Sequence, residues 1–367
     1  MKMAEASYRS RQLAGELTRA LNDASQGLPP VKIMHVCGTH EHEIGRHALR
    51  QLLPSNVELI AGPGCPVCIT PASAIATAMS LARGAENAML CTYGDIVRVP
   101  IDDGRNIWQL RSEGIDVRIV LGPREAVQMA RENADRPVIF FSVGFETTAA
   151  GVASLVLGDL PDNFLIYCCH RYVPAAVEAL AAQEGSAIDA YLLPGHASTI
   201  TGVRAYEFLP AKYGLPSAVA GFEPVDILAA LVSLLRQIRL ARPEAANCYP
   251  RAVRPEGNLR AQRLIADAFR STDASWRGIG TLPGTGLTLR ENLLAHEALS
   301  RLEMDEEEAE DIRPGCLCHL VMTGRKRPAD CAMFGNECAP EHPYGPCMVG
   351  GEGTCRAHYL YPENNDG

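Results

Sequence analysis

The sequence predicts an α/β fold: two similar parallel-sheet domains facing a central cleft, followed by a cysteine-rich C-terminal part. Three observations carry this. Eight short β-branched or apolar runs are each followed by a Gly-containing turn and a helix-like stretch. Alternation of that kind favours parallel strands covered by helices on both faces, because parallel neighbours need a crossover between them. The two sets of four runs show a weak internal likeness, and past Arg313 the composition turns to Gly, Pro, Cys and polar residues with little periodicity.

Taken in order, Leu13, Leu17, Ala20 and Leu21 recur at helical spacing and predict an opening helix over 4–25, stopped by Gly27 and the Pro29-Pro30 pair. Strands are expected at 31–36, 57–61, 87–91 and 117–121, then at 137–143, 163–168, 190–193 and 217–220. Met34 to Glu41 answers Phe141 to Thr148, and Val120 to Glu125 answers Val219 to Pro224, which suggests a duplication. The expected division is therefore 1–130, 131–245 and 246–367. Residues 222–240 and 258–269 read as helices. The acidic stretch 291–311 reads as solvated, with Glu306 to Asp311 serving solubility alone.

The net charge of −9 argues against a nucleic-acid partner, which would want a basic face. No apolar run approaches the roughly 18 residues of a membrane span. The longest, 227–235, is followed at once by Arg236. Residues 1–21 are charged throughout and lack the apolar core of a signal peptide, so a cytoplasmic protein is expected.

In that compartment 13 cysteines are better explained by metal ligation or redox chemistry than by structural disulfides. Cys65 and Cys68 form a Cys-x-x-Cys that follows a Gly-Pro turn and opens an Ala-rich helical stretch. Helix-start amides favour a thiolate, so one of the pair should be nucleophilic or metal-binding; half of a structural zinc site is the alternative. Six cysteines fall in the tail: Cys316, Cys318, Cys331, Cys338, Cys347 and Cys355. A segment so poor in apolar residues needs a metal or cluster to order it, and four thiolates suit either zinc or an iron-sulfur cluster. Cys91, Cys168, Cys169 and Cys248 read as buried fillers.

Ligands of open parallel sheets sit beyond the carboxyl ends of the strands. There the sequence places Cys37, His40 and Glu41; Tyr93 and Asp95; Glu146, Thr147 and Thr148; His170 and Arg171; and His196, Ser198 and Thr199. Thr39, Thr147 and Ser198 are also good helix caps.

Cys37-Gly38-Thr39-His40-Glu41, Gly62-Pro63-Gly64-Cys65-Pro66-Val67-Cys68, Gly144-Phe145-Glu146-Thr147-Thr148, Pro194-Gly195-His196-Ala197-Ser198, Gly221-Phe222-Glu223-Pro224 and the tail cysteine spacing stand in an order that resembles the HypD family of hydrogenase maturation factors. The likeness runs from about residue 30 to the C-terminus. It implies a C-terminal iron-sulfur domain and a redox-capable scaffold that, with the small chaperone HypC, holds iron while the Fe(CN)2CO unit of [NiFe]-hydrogenases is assembled. HypE would donate cyanide, with HypF upstream of it. By the resemblance Cys37 is the ligand to that iron, and Cys65 and Cys68 are the redox pair. Cys316, Cys331, Cys338 and Cys355 hold a [4Fe-4S] cluster, and Cys318 and Cys347 are a relay pair. His40, Glu41, Glu146, Thr147, Thr148 and His196 would line the cleft. The competing reading is an iron-sulfur-dependent dithiol-disulfide oxidoreductase, for which Cys37 is dispensable. A zinc-stabilised binding module without electron chemistry is the third. A nucleotide site is weakly supported, since neither a Gly-x-x-x-x-Gly-Lys-Ser/Thr nor a Gly-x-Gly-x-x-Gly occurs at a strand end.

Overall fold

A computed structural model describes residues 10–183, 185 and 187–362. All eight expected strands form, within a few residues of their expected ends. β1 (Val31–His35), β2 (Val57–Ala61), β7 (Ala190–Pro194), β8 (Ser217–Ala220) and β9 (Ala245–Asn247) make an all-parallel sheet in the order β2-β1-β7-β8-β9. β3 (Met89–Thr92), β4 (Asp116–Ile119), β5 (Val138–Gly144) and β6 (Phe164–Arg171) make the parallel part of a second sheet. β10 (Phe269–Trp276) and β11 (Gly280–Leu289) add an antiparallel hairpin at its β6 edge, giving β10-β11-β6-β5-β3-β4.

The grouping of strands differs from the expected one. The first sheet takes the first two and last two of the eight runs, and the second takes the middle four, so no cut at residue 130 separates them. Helix packing accounts for the interleaving. After β2 the helix Ala72–Gly84 buries Ala74, Ile75, Ala78, Met79 and Leu81 against Leu90, Ile139 and Phe141 of the second sheet, which draws the chain away from the first. The return is made by the helix Val173–Ala181, whose Val173, Val177 and Leu180 pack with Tyr191 and Leu193 of β7. Both sheets are buried on two faces, as parallel sheets must be.

The described part of the opening helix runs Arg11–Ser25, capped by Ser10, and packs on the long helix Pro224–Leu240; residues 4–9 of the expected helix lie outside the described residues. The expected helix at 258–269 forms as Leu259–Ala268 with Asn258 as its cap. The acidic stretch is more than solvated surface. Asp311 accepts hydrogen bonds from the amides of Ala72 and Gly278 at 2.9 and 3.0 Å, and Glu306 accepts one from the Tyr167 hydroxyl. An acidic side chain at the start of the Ala72–Gly84 helix satisfies a free amide there. No helix among the described residues is long and apolar enough to cross a membrane.

Candidate functional site

Cys37 lies two residues beyond β1 and immediately precedes the helix Gly38–Arg46. The Gly-Pro-Gly turn after β2 lies directly against it: the Gly38 amide donates to the Gly64 carbonyl at 3.0 Å, and a Cβ on Gly64 would stand 2.2 Å from the Cys37 nitrogen. Only glycine allows that approach, and it sets Cys37 beside the loop that carries Cys65. Burial, then the carboxylate of Glu352, pushes the Cys37 thiol up to about 12, so proton loss would need a compensating cation.

Glu352 comes from the tail, inside Gly350-Gly351-Glu352-Gly353 between Cys347 and Cys355. Its carboxylate accepts from the Thr39 hydroxyl at 2.6 Å, and its side chain covers Gly38, where a Cβ would meet the Glu352 Cβ at 2.6 Å. Asp95, after β3, lies against Gly350. One loop thus touches both sheets and is flanked by two tail cysteines. The sequence offered a signal here, an acid enclosed by glycines between two cysteines, that the motif reading passed over.

Cys65 and Cys68 are joined as a disulfide, with Cα atoms 5.3 Å apart, across the short helix Pro66–Ile69. Both are buried, and the Cys68 amide donates to the Cys65 sulfur at 3.2 Å. They share one apolar cluster with Trp276, Met322 and Met348 and with the tail cysteines Cys316, Cys318, Cys338, Cys347 and Cys355. The helix Pro66–Ile69 packs against the turn Pro346–Met348 that carries Cys347.

All six tail cysteines line a single pocket, walled by Phe334, Tyr344 and Met348. Thiol contacts run from Cys316 through Cys318 and Cys347 to Cys355. Within them Cys318 is held well below the ordinary thiol value by Cys316 and Cys347, while Cys347 is pushed up. Cys338 accepts from the Tyr344 amide at 3.4 Å, and Cys331 is half-buried. The donor type suits soft-metal or iron-sulfur binding. Among the described residues no three His, Cys, Asp or Glu side chains stand in metal-binding geometry, so the thiols surround the pocket without converging on one point.

The remaining expected residues divide. His40 is buried, donates from Nε2 to the Gly221 carbonyl at 2.9 Å and is pulled down to about 3 by burial and by His35. Its ring lies 5.1 Å from that of Phe222, and the exposed His196 stacks on Phe222 at 4.0 Å, so three of the motifs meet at one aromatic side chain. Glu41 is turned into a buried ionic knot. It accepts from Arg50 at 2.8 and 3.1 Å, contacts His35 Nε2 at 2.5 Å, and pairs with His358 of the tail helix Thr354–Leu360 at 3.1 Å. Burial works against its charge, but Arg50, His35 and His358 hold the carboxyl well below the usual range. Its visible role is to fix the helix behind Cys37 to the tail. Sequence reasoning missed all three partners.

Glu146 starts the helix Glu146–Val156; Oε1 accepts from the Val173 amide at 2.6 Å and Oε2 is buried without a hydrogen-bond partner. Thr148 packs over Gly144, and Thr147 is exposed. Cys168 is more than filler: its sulfur lies 3.3 Å from His170 Nδ1, whose Nε2 is 2.8 Å from the Ser142 hydroxyl.

Against known families, residues 12–362 match the HypD model, described as the hydrogenase formation hypA family. The chain belongs to the HypD family. It is 42% identical to a putative hydrogenase expression/formation protein of Methanocaldococcus jannaschii, covering 96% of this chain and 98% of that one. It is 40% identical to the hydrogenase maturation factor HypD of Azotobacter vinelandii and 38% identical to that of Rhizobium leguminosarum bv. viciae, in each case over 96% of this chain and 94% of the relative. Within HypD, the motifs that carried the resemblance are those gathered around Cys37, the disulfide and the tail pocket.

Proposed function

We propose that this HypD chain is a hydrogenase maturation factor: a redox-capable scaffold that holds iron at Cys37, together with a HypC-type chaperone, while the Fe(CN)2CO unit is built with cyanide from a HypE-type donor served by HypF. The observation that carries the reading is the continuity of three cysteine sets. The Gly62–Cys65 loop lies on Cys37, and the Cys65–Cys68 disulfide shares one apolar cluster with the tail cysteines. Iron bearing cyanide and CO is the cargo, and a soft thiolate such as Cys37 suits it.

A [4Fe-4S] cluster held by Cys316, Cys331, Cys338 and Cys355 would supply single electrons next to the disulfide. The chain's own residues do the rest. Cys318 and Cys347 line the pocket, the turn that carries Cys347 packs on the helix Pro66–Ile69, and Cys65 and Cys68 exchange a disulfide for two thiols. Thr39 and the exposed His196 offer hydrogen bonds near Cys37. The cysteine-rich tail, expected within a domain at 246–367 although β9 and the β10–β11 hairpin belong to the two sheets, would then be the electron-supplying part of the scaffold.

The disulfide also supports the second reading, a dithiol-disulfide oxidoreductase. Anaerobic purification with the small chaperone, followed by metal analysis and an infrared spectrum across the CN and CO stretches, separates the two. About four irons on the chain and one more on the complex, with those bands, supports the scaffold. Iron without the bands when cyanide-donating partners are present supports the oxidoreductase, and zinc in place of iron defeats both.

A further inference from the structure

We propose that Arg277 is the counter-charge of the tail-cysteine pocket: its buried guanidinium stabilises negative charge held by the tail thiolates and so raises the reduction potential of the centre they bind. The inference deepens the proposed function and rests on its reading of these cysteines as ligands.

Position is the first argument. Arg277 stands at the turn of the β10–β11 hairpin, where an arginine ordinarily extends its head into water. Here it is 1% exposed. The turn is tucked between the disulfide and the tail. Trp276 packs in the apolar cluster that holds Cys65, Cys68 and five of the tail cysteines. The Arg277 amide donates to the carbonyl of Ile69, the last residue of the disulfide-bearing helix, at 2.9 Å. Gly278 lies against His319, the neighbour of Cys318, so closely that a Cβ on it would meet the His319 Cβ at 2.4 Å. The residues on both sides of Arg277 are thus seated on the segments that carry the cysteines.

The second argument is the charge itself. Nε donates to the Asp311 carbonyl at 2.7 Å and Nη2 to the Pro100 carbonyl at 2.9 Å, both neutral acceptors, and Nη1 is buried without a hydrogen-bond partner. The Asp311 carboxylate is engaged by the amides of Ala72 and Gly278. A buried cation whose hydrogen bonds go to neutral groups is costly, so it needs an anion nearby. The groups whose charge acts on Arg277 are Cys318, Asp311, Cys316 and Cys347, and Cys318 in turn feels Arg277 after its neighbours Cys316 and Cys347. Three of those four are thiols of the pocket. With every thiol protonated the guanidinium would face one carboxylate already bonded elsewhere; thiolates bound to a metal or cluster supply the missing anion.

Other cations near the pocket are placed differently. Arg313, stacked on Tyr344 at the pocket wall, Arg356, beside Cys355, and His319 all keep some contact with solvent, which screens them. Arg277 is fixed and dry. A four-thiolate iron-sulfur centre is anionic and gains a further negative charge on reduction, and its potential follows the charge around it. Arg277 favours the reduced state without touching iron, because charge acts at a distance in a low-dielectric interior. Reduction by dithionite adds one electron and breaks no bond, so the step needs no proton.

The test is a dithionite redox titration of the anaerobically purified full chain, followed by its iron-sulfur absorption. Arg277→Gln should lower the midpoint potential by about 59 mV or more, a tenfold loss in the one-electron reduction equilibrium. That is the order expected of one charge acting over about 10 Å at an effective dielectric of about 20. Arg277→Lys, which keeps the charge, should stay close to wild type. Equal potentials for wild type and Arg277→Gln overturn the proposal, and so does an equal shift in both variants, which would mark a packing effect. If Arg277→Gln does not fold, the wild type decides: its potential should hold from about 0.05 to about 1 M salt, since a buried charge is not screened, and a shift of that same size overturns the proposal. A wild-type chain without iron would defeat the iron-sulfur reading alone. The counter-charge is then read with cobalt(II) on the metal-free chain, where thiolate-to-cobalt absorption should show about tenfold weaker binding in Arg277→Gln; equal affinity overturns it.

Discussion

Replacing Glu41 by Gln removes one charge from the centre of a buried knot and leaves Arg50, His35 and His358 facing a neutral amide. Breaking a buried ion pair on one side costs about 3–5 kcal/mol. The lower figure applies here because Arg50 keeps some solvent contact, with 16% of its side chain exposed. Unfolding entropy is about 2.1 cal/mol/K per residue, so 367 residues give about 0.8 kcal/mol/K. A loss of about 3 kcal/mol then lowers Tm by about 4 °C. The pH dependence follows from the direction of the shift. An unfolded glutamate titrates near about 4.3, and the folded one well below that. Its contribution is therefore complete above about pH 4.3 and is lost as pH falls through the folded value. Scanning calorimetry of both proteins from pH 7.5 downward should show the full gap at neutral pH and convergence in acid. Equal Tm values at pH 7, or a gap that does not change with pH, would refute the assignment of Glu41 to a structural ionic knot.

Gly64→Ala should lower Tm by several degrees or prevent soluble expression, since its Cβ would fall on the backbone of Val36 and Cys37; a wild-type melting curve would contradict the packing described. Cys37→Ala should melt like wild type but fail to retain cyanide-bearing iron in complex with the chaperone, and undiminished CN and CO bands from that complex would remove Cys37 as the ligand. Cys338→Ala should lose tail-bound iron and expose the tail to proteolysis; unchanged iron content would mean that a different four of the six thiols are used.

The strands were legible because each is a short apolar run ended by a turn, and burial on both faces leaves few other ways to house β-branched sequence. Their grouping was not. Two strands and the next two look alike whichever sheet receives them, and the deciding interaction, the apolar face of the helix Ala72–Gly84 against Ile139 and Phe141, is long-range. The cysteines were legible for a similar reason: few residue types have so narrow a chemical use. Glu41 shows where such reasoning ends. In the motif it stands beside His40 and reads as part of the same site, but on a helix adjacent residues point in different directions. One faces Phe222 and the other faces Arg50 and a histidine far along the chain.

The interleaved sheets bear on how the molecule is made. β1 and β2 leave the ribosome early, yet β7, the neighbour that covers the other edge of β1, begins only at residue 190, after the whole parallel part of the second sheet. At about 5–20 residues per second that wait is on the order of ten seconds. During it Cys37, Cys65 and Cys68 follow an uncovered pair of strands, and Glu352, which closes over Gly38, and the helix Thr354–Leu360, which pairs with Glu41, emerge only near the end of synthesis. Synthesis therefore leaves a period in which these thiols are open to oxidants and stray metal ions. The order of emergence makes seating of the Glu352 loop and of the helix behind it a late step that encloses Cys37.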